Sequence, residues 1–145
     1  MSASTVTITV YPHPKGVTND QRTQTLRGTF TISAGSYPKG GLPLDWTTIE
    51  QVKSIPFGSS TPTSTSTPFP IDVDVKSVGN VNTTAGKGPS GVVYGWDNDS
   101  GNLHVFISNN GVSAVSGPLI EIGSGALPGW IINDTIQFTA VFARE

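Results

Sequence analysis

The sequence contains no cysteine, and only 12% of its 145 residues are charged. Without cysteine, the chain can form neither a disulfide framework nor a thiolate metal site. An average soluble domain is about 25% charged, so this chain has few groups for ionic recognition. The basic residues never stand side by side, and the formal net charge is −2. Nucleic-acid binding depends on a cationic surface, and we therefore expect no nucleic-acid partner.

Long apolar runs are also missing. No stretch approaches the roughly 18 consecutive apolar residues that a membrane-spanning helix needs. The opening residues, MSAST, lack the charged and apolar regions of a signal peptide. These absences predict a soluble protein that is made and folded in a cytoplasm and has no membrane partner.

The abundant residues are those of strands and turns. The chain has 17 glycines and 11 prolines, and serine and threonine are frequent. This composition is typical of short strands that carry hydroxyl groups on their solvent faces and are joined by turns. It does not suit a helical bundle, because alanine, leucine, glutamate and lysine are scarce. The length of the chain predicts a single domain over residues 1–145.

Alternation of apolar and polar residues predicts where the strands lie. In the first strand, Val6, Ile8 and Val10 share one face and threonines occupy the other. The spacing of such segments predicts an all-β fold, an antiparallel β-sandwich or a jelly-roll-like arrangement, with about seven to eight strands and at most one short helix. The segments predicted as strands are 5–11, 26–34, 71–76, 91–96, 103–108, 119–122 and 135–144.

The remaining segments predict a helical turn, an arm and two loops. Residues 45–52 fit a short helix capped by Asp45, although they also fit a strand. Residues 1–4 form a short polar arm. Residues 58–70, GSSTPTSTSTPFP, cannot bury enough apolar surface to order themselves, and we expect an exposed loop there and a second mobile loop at residues 80–90.

Residues 96–106, WDNDSGNLHVF, contain two aspartates that could mark a calcium loop. An EF-hand loop needs oxygen ligands at positions 1, 3 and 5, glycine at 6 and glutamate at 12. Counting from Asp97, position 5 is Gly101 and position 12 is Ser108, so the register fails. The residues instead suit a hairpin turn between two alternating strands.

The other ionisable residues do not form a catalytic or metal-binding set. Asp72 and Asp74 share one face of a predicted strand, and a solvated face explains them better than a glycosidase pair. His13 and His104 are the only histidines, too few for a zinc site without cysteine. No nucleophile elbow precedes a helix. We therefore predict no enzyme activity, no metal and no cofactor.

Four aromatic residues are candidates for binding: Trp46, Tyr94, Trp96 and Trp130. Tyr94 and Trp96 are two apart on a predicted strand and project from the same face, and Trp130 stands alone. If exposed, they could stack on a sugar; if buried, they would fill a core or a subunit interface. We favour the core or interface and keep glycan binding as the alternative.

Four motifs occur in a characteristic order: YPKGGLPL at 37–44, VYGWD at 93–97, LHVF at 103–106 and NDTIQFTAVF at 133–142. From residue 26 onward this order resembles small β-rich head proteins of tailed bacteriophages, those that decorate or cement the capsid. The resemblance implies a non-enzymatic virion protein on the capsid surface. It also implies binding to the major capsid protein and a homo-oligomer, for which we prefer a trimer.

A protein of this kind holds other subunits together through exposed arms, loops and aromatic side chains. Extended segments of this type can add to the sheet edge of a partner through main-chain hydrogen bonds. The residues that we predict at such an interface are Ser2, Ala3, Ser4, Pro62, Pro68, Phe69, Tyr94, Trp96 and Trp130. A carbohydrate- or receptor-binding β-sandwich that uses exposed aromatics is the alternative function.

Overall fold

A computed structural model describes residues 2–49, 69–80, 92–108 and 118–143 and confirms the all-β prediction. Antiparallel sheets pack against each other, consistent with a β-sandwich. All seven segments predicted as strands contain a strand. Most of the two predicted loops, together with Pro62 and Pro68, lies outside the described residues.

The described residues form eleven strands and two short helical turns. The strands are β1 (Val6–Val10), β2 (Val17–Asn19), β3 (Thr23–Ile32), β4 (Ser36–Tyr37), β5 (Leu42–Pro43), β6 (Asp72–Asn80), β7 (Val93–Trp96), β8 (Asn102–Ser108), β9 (Leu119–Glu121), β10 (Gly125–Ala126) and β11 (Asp134–Ala143). A 3₁₀ turn spans Trp46–Thr48, and a one-turn helix, α1, spans Gly129–Ile132.

The first sheet has the strand order β1-β3-β11-β6, and β2 continues the β1 edge along β3. All its pairings are antiparallel. Burial alternates residue by residue along β3 and β11, as the apolar alternation predicts. The threonines of β1 and the carboxylates of Asp72 and Asp74 lie on exposed positions, which confirms the solvated face predicted for β6.

The second sheet is built on the β7–β8 hairpin. Both β5 and β9 pair with the opposite side of β8, β5 near its start and β9 near its end. A separate two-stranded ribbon joins β4 to β10. Ala3 bridges to Ser36 of this ribbon, so the N-terminal residues run beside β4.

An aromatic cluster fills the space between the sheets. Phe30 and Phe138 stack with ring centroids 4.5 Å apart, and Trp46 meets Phe30, Phe138 and Phe142 edge-on at 5.2–6.0 Å. The 3₁₀ turn carries Trp46 into this cluster. Asp45 caps the turn, accepting a hydrogen bond from the Thr47 N–H at 3.0 Å, as the sequence predicts. Edge-on and stacked aromatic pairs stabilise a core beyond their buried area.

The carboxylate of Asp134 is buried where the two sheets meet. Asp134, at the start of β11, accepts hydrogen bonds from the Tyr94 hydroxyl at 2.7 Å and from the Ser77 hydroxyl at 2.8 Å. These bonds satisfy a buried carboxylate that would otherwise be costly. They tie β6 and β11 of the first sheet to β7 of the second.

The sequence does not predict the shortest elements. Strands β2, β4, β5 and β10 have two or three residues each, too few to show a period. The sequence also gives no sign of the helical turn α1. Pro128, in an extended conformation, is the N-cap residue of α1. The helical turn places the fully buried Ile131 in the core.

Candidate functional site

The outer face of the second sheet carries a cluster of ionisable side chains that the sequence does not reveal. His104 of β8 lies opposite Gly95 of β7, and Phe106 lies opposite Glu121 of β9. Residues paired across strands project to the same face, so His104 and Glu121 meet there. We call Tyr37, Asp97, His104 and Glu121 the acid–histidine cluster.

A chain of hydrogen bonds runs from the sheet backbone into this cluster. Strands β5 and β9 leave a gap beside β8 at Val105, and the buried Tyr37 hydroxyl fills it. The Val105 N–H donates to the Tyr37 Oη at 3.2 Å, and the hydroxyl donates to the Glu121 Oε1 at 2.6 Å. The same oxygen lies 2.8 Å from the His104 Nδ1. Tyr37 therefore satisfies a backbone donor and fixes the Glu121 carboxylate.

Asp97 reaches the other side of the imidazole from the hairpin turn. Its carboxylate accepts hydrogen bonds from the Asp99 N–H at 2.9 Å and the Ser100 hydroxyl at 2.8 Å. Gly101 closes the turn with φ of 75°, and its N–H donates to the Asp97 carbonyl at 2.8 Å. This confirms the predicted hairpin turn. The Asp97 Oδ2 lies 3.7 Å from the His104 Nε2.

These contacts hold both carboxylates in the ionised form. The Asp99 N–H, together with the Ser100 hydroxyl, lowers the pKa of Asp97 below its ordinary value. Burial raises the pKa of Glu121, but the hydrogen bonds from Tyr37 and His104 outweigh it and the net shift is downward. Burial, reinforced by the bond to Glu121, raises the pKa of Tyr37, which stays protonated. Neither carboxyl group has the raised pKa that a general acid needs.

The surroundings of His104 do not supply a nucleophile. Among the described residues no hydroxyl group bonds to its ring, and the buried Nε2 has no hydrogen-bond partner. That atom faces the Gly41 backbone, where an added Cβ would lie 3.2 Å away. A base that activates a nucleophile needs that nucleophile within hydrogen-bond reach. Over the same part of the chain, no three histidine or acidic side chains are grouped to hold a metal ion.

A cavity of about 370 Å³ lies beside the cluster. Phe106 and His104 form one wall, with their rings nearly parallel and their centroids 6.1 Å apart. Gly95 has no side chain that would crowd the Phe106 ring, since an added Cβ would lie 3.0 Å from a ring carbon. Trp96, Asp97 and Glu121 complete the lining. Aromatic faces with convergent carboxylates can hold a small polar ligand.

The structure separates the aromatic residues predicted at an interface. Tyr94 is only 5% exposed, and its hydroxyl bonds to Asp134, so its ring is part of the core and offers no surface to a partner. Trp96 is partly buried and packs against Phe69 with ring centroids 5.6 Å apart. Phe69 is 47% exposed, and Trp130 lies in α1. Phe69 therefore presents accessible apolar surface, which Tyr94 does not.

The predicted N-terminal arm lies along its own chain. The Ser4 N–H donates to the Ser36 carbonyl at 2.9 Å, and the Ser36 N–H donates to the Ser2 carbonyl at 3.0 Å. Ser2 and Ala3 are exposed, whereas Ser4 is 3% exposed. The Ser4 hydroxyl has no hydrogen-bond partner among the described residues. The expectation of an arm reaching neighbours is therefore corrected for Ser4, whose backbone bonds hold it against β4.

A groove runs beside β1, which is one of the edge strands of the first sheet in the described part of the chain. Its volume is about 710 Å³. Residues 3–8 form one wall, and Pro38, Pro43, Asp45 and Thr48 form the other. We call this feature the β1 groove. It lies on the side of the sandwich where the edges β1 and β5 face each other without pairing.

Comparisons with protein-family models, curated proteins and solved structures found no match. None of the helices in the described residues has the length and hydropathy to cross a membrane.

Proposed function

We propose that this chain is a non-enzymatic structural protein of a phage virion that decorates or cements the capsid by binding the major capsid protein, as an oligomer. The resemblance in motif order suggests the class. The observation that carries the proposal is the edge of β1, whose outer side pairs with no strand of the described residues. Such an edge is a backbone surface suited to joining polypeptides. The chain acts by adding buried surface between subunits, for which chemistry is not required.

The acid–histidine cluster supports this proposal because its groups are engaged in holding the fold. Tyr37 bonds to the β8 backbone, Asp97 to its own turn, and Glu121 to Tyr37 and His104. The cluster thus joins β4, the β7–β8 turn, β8 and β9. It brings no nucleophile and no protonated carboxyl group toward the cavity, so a catalytic role has no support from its geometry.

Co-sedimentation with empty capsids of the phage that encodes the chain tests the proposal. The purified chain should sediment with the capsids at a fixed ratio to the major capsid protein, and alone it should sediment as an oligomer, with a trimer expected. A chain that stays monomeric and remains in the supernatant in the presence of capsids would disprove this function.

The alternative is a carbohydrate- or receptor-binding module, and the cavity beside the acid–histidine cluster favours it. Phe106 offers an aromatic wall, and Asp97 and Glu121 offer fixed acceptors for hydroxyl donors. Because Tyr94 is buried, this role falls to Trp96 and to Phe106 of the cavity lining, and Trp130 stays a prediction. A glycan array should show binding that Phe106→Ala and Trp96→Ala abolish, with both variants checked for folding. Absence of binding by the unmodified chain removes this alternative.

A further inference from the structure

The hydrogen bonds of β1 show which of its backbone groups face outward. The Ser33 N–H donates to the Thr5 carbonyl, and the Tyr11 N–H donates to the Arg27 carbonyl, both at 2.9 Å. Bonded and non-bonded pairs alternate along an antiparallel ladder. In the observed register, the odd-numbered residues therefore bond to β3. The N–H and C=O groups of Val6, Ile8 and Val10 point to the open edge.

The two edges of the first sheet differ in how they are protected. The outer strand β6 carries Asp72, Asp74 and Lys76, and a register shift interrupts its pairing with β11. Charges and bulges of this kind discourage pairing with another chain. Strand β1 has none of them: Lys15 is the first charged side chain in the sequence, and the β1–β3 register is unbroken. The edge that is left open is the one that borders the groove.

The β1 groove sets the shape and chemistry of what can enter it. It has a wall on both sides, so it accommodates a single extended segment better than the edge of a second folded sandwich. Val6, Ile8, Pro38 and Pro43 line it with apolar surface. Among the described residues of the lining, Asp45 is the only charged one. The Thr47 hydroxyl and N–H lower the pKa of Asp45, so its side chain is negative.

We propose that the β1 groove binds an extended segment of a partner protein that alternates apolar with small polar residues and carries one lysine or arginine beside Asp45. The segment pairs with β1 through the outward groups of Val6, Ile8 and Val10. Its apolar side chains enter the groove between β1 and β5. This mode is strand addition to a sheet edge, in which the main chain gives affinity and the side-chain sites give specificity. Only the assignment of the segment to the major capsid protein rests on the proposed function.

Amide hydrogen exchange measured by NMR on the full chain tests the inference. The probe is a capped synthetic octapeptide of alternating valine and threonine with one terminal lysine. The amides of Val6, Ile8 and Val10 should gain protection when it binds, whereas those of Thr7 and Thr9, already bonded to β3, should change little. Replacing the peptide lysine by glutamine should weaken binding, and replacing it by glutamate should weaken it further.

A proline variant supplies the matched control. Val6→Pro removes an outward N–H without removing a bond to β3, and we expect affinity for the peptide to fall on the order of tenfold. Val78→Pro changes the same residue type on the opposite edge strand, at a bulge where it has no register partner, and should bind normally. Equal binding by both variants overturns the inference, as does a peptide that protects none of the three amides.

Two further outcomes separate this inference from the proposed function. If the peptide binds but capsids do not, the groove is a strand-binding site and the capsid assignment is wrong. If capsids bind both the unmodified chain and Val6→Pro, and the peptide protects none of the three amides, the capsid role stands and the groove proposal fails. Protection of the three amides that rises with chain concentration, without peptide, would show that a second copy occupies the edge and would also overturn the proposal.

Discussion

At the scale of single residues, the contacts of Tyr37 lead to a measurable prediction. Its hydroxyl accepts from the Val105 N–H and donates to Glu121. Tyr37→Phe leaves a buried backbone donor without a partner, which costs about 1–3 kcal/mol. We expect urea denaturation to show a loss of that size. Tyr11→Phe, a partly exposed tyrosine beside Lys15, should change stability little, and equal losses in the two variants would contradict this role.

Glu121 gives the protein a predictable response to acid. Its folded-state pKa lies below the ordinary value of 4.5. A group of this kind stabilises the fold above its unfolded-state pKa and loses that contribution as pH falls through the folded-state pKa. The free energy of unfolding should therefore decrease below about pH 4.5, and Glu121→Gln should flatten that decrease. Urea titrations from neutral pH downward measure it, with Asp72→Asn on the exposed face of β6 as control. A Glu121→Gln profile parallel to the wild type would contradict the prediction.

The acid–histidine cluster shows why single residues were hard to assign from the sequence. The sequence predicts the turn around Asp97. Glu121 could have been found only by knowing that β9 pairs with β8. No sequence pattern indicates the role of Tyr37, because its hydroxyl bonds to β8 in a gap between two short strands. Which of these side chains meet depends on the pairing register of strands that are distant in sequence. A local pattern of apolar and polar residues does not contain that information.

At the scale of elements, the long strands were predictable and the short ones were not. Buried and more exposed residues alternate over ten residues in both β3 and β11. The burial of one face of each strand therefore leaves a clear apolar pattern in the sequence. β4, β5 and β10 have two residues each. They form because the fold places another strand of the same chain beside them, β4 beside β10 and β5 beside β8. The cap at Asp45 was readable because it depends on a local hydrogen bond to Thr47.

The contact of β1 with β3 gives an element-scale prediction. Gly28 of β3 pairs with Val10, and a Cβ built on Gly28 would overlap the Thr9 carbonyl oxygen. Gly28→Ala must push β1 away from β3, with an overpacking cost of about 1–3 kcal/mol. Gly123→Ala is the matched control, because nothing lies within 4 Å of its added Cβ. Thermal unfolding should separate the two variants. A Gly28→Ala midpoint equal to that of Gly123→Ala would contradict the observed packing.

At the scale of the whole molecule, the low charge predicts how association responds to salt. The chain is 12% charged with a formal net charge of −2, and the described lining of the β1 groove has one carboxylate. If association uses main-chain hydrogen bonds and apolar burial, screening should affect it little. Raising salt from about 0.05 M to about 0.5 M should change capsid affinity by less than about threefold. Co-sedimentation over this range measures it, and an affinity that falls by orders of magnitude would mean that charged surfaces, rather than the uncharged edge of β1, carry the interaction.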